Sequence, residues 1–174
     1  ENEYQYLTET VGGIFVKISL TSPHHLNPFD LPPARSDEKP GDILRSNIIN
    51  LLGLLRMMLG GLNPEEESIL DKAIAETYAS RDITPESDLS KITPPLLSDL
   101  QTVLDSMEGA KSLSTRLEKY TRGSYAGFFN HPTNVEIRNK LVTFSIRDLE
   151  EELRPIAMYV VLHFIWNLVR SELK

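Results

Sequence analysis

Apolar residues in this chain fall into two kinds of run: short β-branched or aromatic stretches, and longer stretches at helical spacing. Residues Glu3 to Val11 predict a short helix closed by Gly12-Gly13, since glycine readily takes the backbone conformation that follows a helix end. Ile14 to Leu20 (IFVKISL) predicts a strand. Five prolines between Thr21 and Gly41 turn the next stretch into a long loop, a length that compact domains keep for functional or disordered segments. Asp42 is then expected to cap a helix that carries Ile43, Ile48, Ile49, Leu51, Leu52, Leu54, Leu55, Met57, Met58 and Leu59 and ends at Gly60-Gly61. That helix is apolar nearly all round, so it should be buried on several sides.

The following start signal is strong. Asn63-Pro64-Glu65-Glu66 supplies a cap residue, a first-turn proline and a glutamate three residues after the cap, and Ile69, Leu70, Ala73, Ile74, Thr77 and Tyr78 mark one face. After a polar loop from Arg81 to Ile92, Thr93-Pro94-Pro95 is expected to start a helix with Leu96, Leu97, Leu100, Val103, Leu104 and Met107 inside, stopped by Gly109. A shorter helix from Ala110 to Arg122 would bury Leu113, Leu117 and Tyr120. Lys140 to Ile146 (KLVTFSI) predicts a second strand, and Pro155 sits in the first turn of a last helix reaching Leu173. Its stretch from Ile156 to Val169 is 14 residues long. A bilayer needs about 20, so this is expected to be a helix buried against a sheet.

The resulting fold class is mainly α with a small α/β part, and it divides as 1–41 (helix, strand, proline-rich loop), 42–122 (an all-α unit) and 123–174 (loop, strand, long helix). Two strands make a poor sheet by themselves. The chain is therefore expected to be an internal piece of an α/β domain carrying a helical insertion, with further strands outside it.

Composition narrows the function classes. The 174 residues are 40% hydrophobic and 25% charged, as in ordinary globular proteins, with a formal net charge of -7. A module that grips nucleic-acid phosphate carries a basic face; here the nearest approach is Arg116, Lys119 and Arg122 on one helix, so direct nucleic-acid binding is not expected. Cysteine is absent, which excludes disulfides, thiolate metal sites and cysteine nucleophiles.

Candidate motifs are few. Gly109-Ala110-Lys111-Ser112 lacks the glycines a phosphate-binding loop needs and follows a helix instead of a strand, so it reads as a helix end. Leu141 to Asp148 partly matches a hydrophobic strand ending in a magnesium-binding acid, but Arg147 intrudes and no second acid follows; it reads as a core strand. His24-His25 lies in a loop without metal-ligand spacing and reads as a solvated pair, and His163 as a hydrogen-bonded core or interface residue. No metal site is expected. Glu65-Glu66-Glu67 and Glu150-Glu151-Glu152 sit at helix starts, where acids meet the positive end of the dipole. The segment Tyr120 to Asn134 combines glycines, aromatics and Arg122 in one loop. It is either an aromatic plug or an arginine presented to a neighbouring subunit's nucleotide.

Five stretches together resemble a known family: Leu26-Asn-Pro-Phe-Asp-Leu31, Leu62-Asn-Pro-Glu-Glu-Glu67, Pro94-Pro-Leu-Leu-Ser-Asp-Leu100, Tyr120 to Asn134, and Phe144-Ser-Ile-Arg-Asp-Leu-Glu-Glu-Glu-Leu-Arg-Pro-Ile-Ala-Met-Tyr159. The family is the conjugative-transfer ATPases of type IV secretion systems, the TraC-like group of HerA/FtsK-class, RecA-like P-loop motors. The resemblance implies a parent that hydrolyses ATP with magnesium, as a hexamer at the cytoplasmic face of the bacterial inner membrane. It would power DNA or protein transfer alongside other secretion-channel components.

The resemblance also implies that 42–122 is an insertion in the RecA-like core, and that the Walker A loop and the Walker B acids flank this segment instead of lying in it. The chain alone is thus not expected to hydrolyse ATP or to bind it tightly. Arg122 and Arg154 are the implied trans-acting arginines, and Asn27 and Pro28 the implied loop near the nucleotide. The alternative is a non-catalytic helical module that docks a channel component or a neighbouring subunit.

Overall fold

A computed structural model describes residues 2–138 and 141–172. Helix α1 (Asn2–Thr10) leads into strand β1 (Ile14–Lys17), and four helices follow: α2 (Pro40–Met58), α3 (Pro64–Ala79), α4 (Leu97–Ser106) and α5 (Lys111–Thr121). Strand β2 (Val142–Ser145), a 3-10 turn (Glu151–Leu153) and helix α6 (Arg154–Glu172) complete the described order. The strands pair in parallel, Ile14 opposite Val142 and Lys17 opposite Ser145. All of α2 to α5 therefore lies in the crossover between two neighbouring strands.

The sheet lies between two helices. Phe144 shares a face with its register partner Val16 and meets Phe164 of α6 edge-on at 6.2 Å. On the opposite face the Thr143 hydroxyl bonds that of Thr8 on α1 at 2.8 Å. Gly13 makes the tight turn from α1 into β1 possible. A Cβ there would stand 2.9 Å from Thr8 Cγ2 and 3.0 Å from the Leu141 carbonyl oxygen.

Helices α2 to α5 pack in chain order, each on the next, and α2 also meets α6. The start of α3 is fixed by reciprocal bonds: the Asn63 side chain accepts from Glu66 N, and the Glu66 carboxylate accepts from Asn63 N. The end of α2 is closed from α5, where Arg116 donates to the Leu59 and Gly61 carbonyls at 2.9 and 2.8 Å and pairs with Glu66 at 2.5 Å. One guanidinium thus satisfies orphan carbonyls at a helix C-terminus, where positive charge is favoured.

Residues 26–31 of the proline-rich loop after β1 run through the core, while 33–37 are exposed. Leu26, Asn27 and Phe29 are all buried. A chain of hydrogen bonds holds them: His163 Nε2 lies 2.9 Å from Asn47 Oδ1, Asn47 Nδ2 donates to Tyr78 Oη at 2.6 Å, and Tyr78 Oη donates to the Phe29 carbonyl at 2.8 Å. The Asn47 amide nitrogen is directed at Tyr78, so its oxygen faces His163 Nε2, which Asn167 Nδ2 also approaches at 3.2 Å. From the other side, Asn27 N donates to Thr133 Oγ1, and His25 and Asn134 bond each other twice. The aromatic segment after α5 is packed as a plug: Phe128 and Phe129 are buried and stack at 4.2 Å, and Tyr120 donates to the Met58 carbonyl.

Several sequence expectations are corrected. Asp42 is not a cap: Pro40 opens α2, and Asp42 sits in its first turn. Helix α4 starts at Leu97, not at Thr93-Pro94-Pro95, because two prolines hold the preceding residues extended. The first strand stops at Lys17, short of Leu20, as the chain turns into the loop. Helix α2 is buried against α3 and α6 as expected, though Ile49 and Met57 remain exposed. Helix α6 buries Ile156, Ala157, Val160 and Val161 but leaves Met158, Leu162, Ile165, Trp166 and Val169 in solvent, so it is only half covered. Lys140 and Leu173, which the sequence places at the ends of elements, lie outside the described residues.

Tyr78→Phe keeps the ring and removes the central hydroxyl, leaving both the Asn47 amide and the Phe29 carbonyl without that partner. The expected loss is about 1–3 kcal/mol, the usual cost of a buried polar group left unsatisfied. Urea denaturation monitored by circular dichroism measures it.

Candidate functional site

Ligands of open parallel sheets collect at the carboxyl ends of the strands. Here those ends carry Lys17 and Ser145, followed on the β2 side by Ile146, Arg147 and Asp148. The Lys17 ammonium pairs with the Asp148 carboxylate across the strand ends, and this bond holds the Asp148 carboxyl below its usual range. Asp148, the acid the sequence places at the end of a hydrophobic strand, is thus engaged by a lysine of the neighbouring strand.

Beside this pair a cleft of about 530 Å3 is lined by Tyr4, Phe15, Phe144, Ile146, Arg147 and Arg154, among others. Arg154 is the first residue of α6. Its Nε donates to the Leu149 carbonyl at 3.2 Å and its Nη2 to the Arg147 carbonyl at 3.1 Å. These bonds fix the guanidinium at the mouth of the cleft.

Arg122 is placed differently. It follows the last turn of α5 and reaches Asp105 at 2.6 Å and Glu118 at 3.4 Å. Asp105 also accepts from Ser114 and Gln101, and these bonds together with Arg122 bring its carboxyl down to about 2. Arg122 and Arg154 therefore stand on separate elements with different partners.

Asn27 and Pro28 do not line the Arg154 cleft. Asn27 is 6% exposed, and its side chain bridges the Pro95 carbonyl and Phe29 N. Both residues border a cavity of about 20 Å3 that Asp30, Asn50, His163 and Asn167 also line. Burial pushes the Asp30 carboxyl up, partly offset by the Thr133 hydroxyl, and burial with the nearby Arg170 charge pushes the His163 imidazole down. His24 is held by Lys17 N, which donates to its Nδ1 at 3.2 Å, and His25 stacks on His131 at 4.2 Å. The adjacent histidines thus have separate partners.

Gly109-Ala110-Lys111-Ser112 joins α4 to α5, and the Ser112 hydroxyl donates to Glu66. The segment has neither the preceding strand nor the serine geometry of a phosphate loop, so residues 109–112 form a helix-to-helix connection. Among the described residues no group of three or more His, Asp or Glu side chains could hold a metal ion, and no helix is long and apolar enough to cross a membrane.

His163 is hydrogen-bonded, as the sequence suggests, but sequence reasoning missed its link through Asn47 to Tyr78 and the Lys17–Asp148 pair. The first left a trace only in His163, a polar residue within the apolar run of α6. The second left none, because parallel pairing of strands 125 residues apart is invisible to local pattern.

No family model matches the chain, and none of the curated proteins matches it either. Among solved structures, the chain is similar to VirB4 of Thermoanaerobacter pseudethanolicus, with a TM-score of 0.85 and 22% identity, over 99% of this chain and 48% of that one. The chain thus spans about half the length of that neighbour. At this identity the likeness establishes a shared fold.

The depressed His163 value sets a pH dependence. A histidine with a folded-state pKa below the ordinary 6.5 takes up its proton first in the unfolded chain. Its stabilising contribution is therefore complete above 6.5 and declines as pH falls toward the folded value. The thermal midpoint should drop between pH 7.5 and 5.5, and His163→Gln should flatten that slope, leaving the share of His25, which is shifted the same way. Calorimetric scans across the range, with NMR titration of His163, check it.

Proposed function

We propose that this chain is a segment of a type IV secretion ATPase, in which α1, β1, β2 and α6 belong to a RecA-like core and α2 to α5 form a helical insertion. The single observation that carries this reading is the shared fold with VirB4 along almost the entire chain. It is supported by the parallel strand pair covered by helices on both faces, an arrangement typical of α/β nucleotide-binding cores.

The parent would be a hexameric motor at the cytoplasmic face of the bacterial inner membrane, working with other channel components to move DNA or protein. This segment supplies no phosphate-binding loop, so its contribution is positional. Arg154 is the better of the two candidate arginines. Its anchoring bonds go to neutral carbonyls, whereas the charge of Arg122 is already matched by two carboxylates. A guanidinium offered to a neighbouring subunit's phosphates is favourable wherever negative charge builds up. Asn27 and Pro28 would act by holding the loop behind the strand ends, not by touching nucleotide.

A second reading, a docking module, is favoured by the apolar stripe on α6, where Leu162 is 61% and Trp166 59% exposed. The two readings are compatible if the stripe faces another part of the motor.

The 174-residue chain alone is expected to show no ATP turnover and no tight MgATP binding by calorimetry. In a longer native polypeptide containing it, Arg154→Ala should lower kcat by about a thousandfold, the scale of a lost trans-acting arginine. Arg122→Ala should change it by less than about threefold, as a surface substitution outside the catalytic geometry. Tight MgATP binding and turnover by the chain alone would overturn the reading.

A further inference from the structure

The helical unit carries a groove that its own packing leaves open. It measures about 740 Å3 and runs along the first half of α2, with α3 and the loop after α3 as its other wall. Leu44, Ile48, Ala75 and Pro85 give it an apolar lining, and Ile49 stands at its edge, 62% exposed. Leu44 and Ile48 lie one turn apart, so both belong to a single face of α2. A Cβ at Gly41 would stand 3.0 Å from Pro85 Cβ, so glycine lets the loop close against the start of α2. The α2 lining extends from Gly41 to Ile49, about 12 Å along the helix axis and enough for two turns of a second helix.

The charges at the rim lack partners. Lys39, Asp71 and Glu86 all line the groove, and among the described residues none of them makes an ion pair. Arg45 reaches Asp42 only at 3.8 Å. The other arginines of the helical unit, Arg56, Arg81, Arg116 and Arg122, each meet a carboxylate at 2.9 Å or less. The unmatched charge is thus acidic on α3 and its loop, through Asp71 and Glu86, and basic at α2, through Lys39 and Arg45.

We propose that this groove docks an amphipathic helix of a partner polypeptide. Its aliphatic seam lies over Leu44, Ile48 and Ala75, with basic residues on the flank facing Asp71 and Glu86 and acidic residues on the flank facing Lys39 and Arg45. An added strand needs an open main-chain edge, whereas helices α2 and α3 spend their main chain on internal bonds and offer side chains, the surface that a helix in a groove reads. Rim charges of both signs select the partner and fix its direction. The groove lies within residues 39–86, apart from the α6 stripe and the Arg154 cleft, so it extends the docking reading to the helical unit and does not depend on ATP hydrolysis by the parent.

The probe is a synthetic leucine-alanine helical peptide with arginine along one flank and glutamate along the other. It carries no net charge, so the -7 of the chain does not attract it. Fluorescence anisotropy with the full 174-residue chain measures binding, and NMR shift mapping locates it. The shifts should centre on Leu44, Ile49 and Ala75. The same peptide with glutamate on both flanks should bind at least about tenfold more weakly. Ile49→Asp should weaken the neutral peptide at least about tenfold, the effect of losing one buried aliphatic side chain. Asp71→Lys combined with Glu86→Lys should weaken it by a similar factor and let the glutamate-flanked peptide bind. All three positions are exposed, so the variants should melt within about 2 °C of the unaltered chain.

Shifts centred on Leu162 and Trp166 would overturn the groove while leaving the docking reading on α6 intact. No binding of the neutral peptide, or binding that both sets of substitutions leave unchanged, would overturn the proposal. Self-association of the chain that Ile49→Asp abolishes would assign the groove to a second copy and overturn it as well.

Discussion

Residues 26–31 of the loop after β1 pass through the interior, where carbonyls and amides have no water to bond, and buried main-chain groups must find partners. The chain from His163 through Asn47 and Tyr78 to the Phe29 carbonyl meets that requirement with one residue from each of α6, α2 and α3. Every bond joins segments distant in sequence, so the loop acts as a common anchor for the helical unit and the sheet. The polar groups also discriminate: an apolar side chain at any of these positions would leave its neighbour buried and unpaired. The loop from 130 to 134 completes the anchor from the opposite side through Thr133 and Asn134.

That anchor explains how four helices can be inserted between two neighbouring parallel strands without loosening the pairing. The crossover returns to β2 beside the strand it left because its first and last loops are bonded to one another. The carboxyl ends of the strands are consequently held in a fixed relation to the start of α6, where Arg154 ties the turn at 147–149 to the helix. The apolar surface left outside is concentrated on α6 and α1, while the helical unit shows only scattered exposed residues such as Ile49 and Met57.

Much of this was legible in local pattern. The capping signal at Asn63, the apolar face of α3 and the glycine after α1 are decided by residues close in sequence and appear where the pattern places them, and the β-branched strands form within their predicted runs but shorter. The failures have physical causes. The Pro94-Pro95 pair fixes extended backbone ahead of a helix and the single Pro40 opens one, so α4 starts at Leu97 and α2 at Pro40. Apolar composition does not reveal which face of a helix finds a partner, which is why the outer stripe of α6 was expected to be buried. Long-range polar contacts, Lys17 with Asp148 and Thr133 with Asp30, follow from topology that no window of sequence contains.

The claim that organises this account is that the segment works inside a longer ATP-driven polypeptide, and reading the native open reading frame on both sides of it tests that claim most directly. The account expects a Gly-x-x-x-x-Gly-Lys-Ser/Thr loop upstream and a hydrophobic strand ending in Asp-Glu within a few residues after Lys174. Native start and stop codons bounding these 174 residues would contradict it, and would leave a protein with this fold but without the means to hydrolyse ATP.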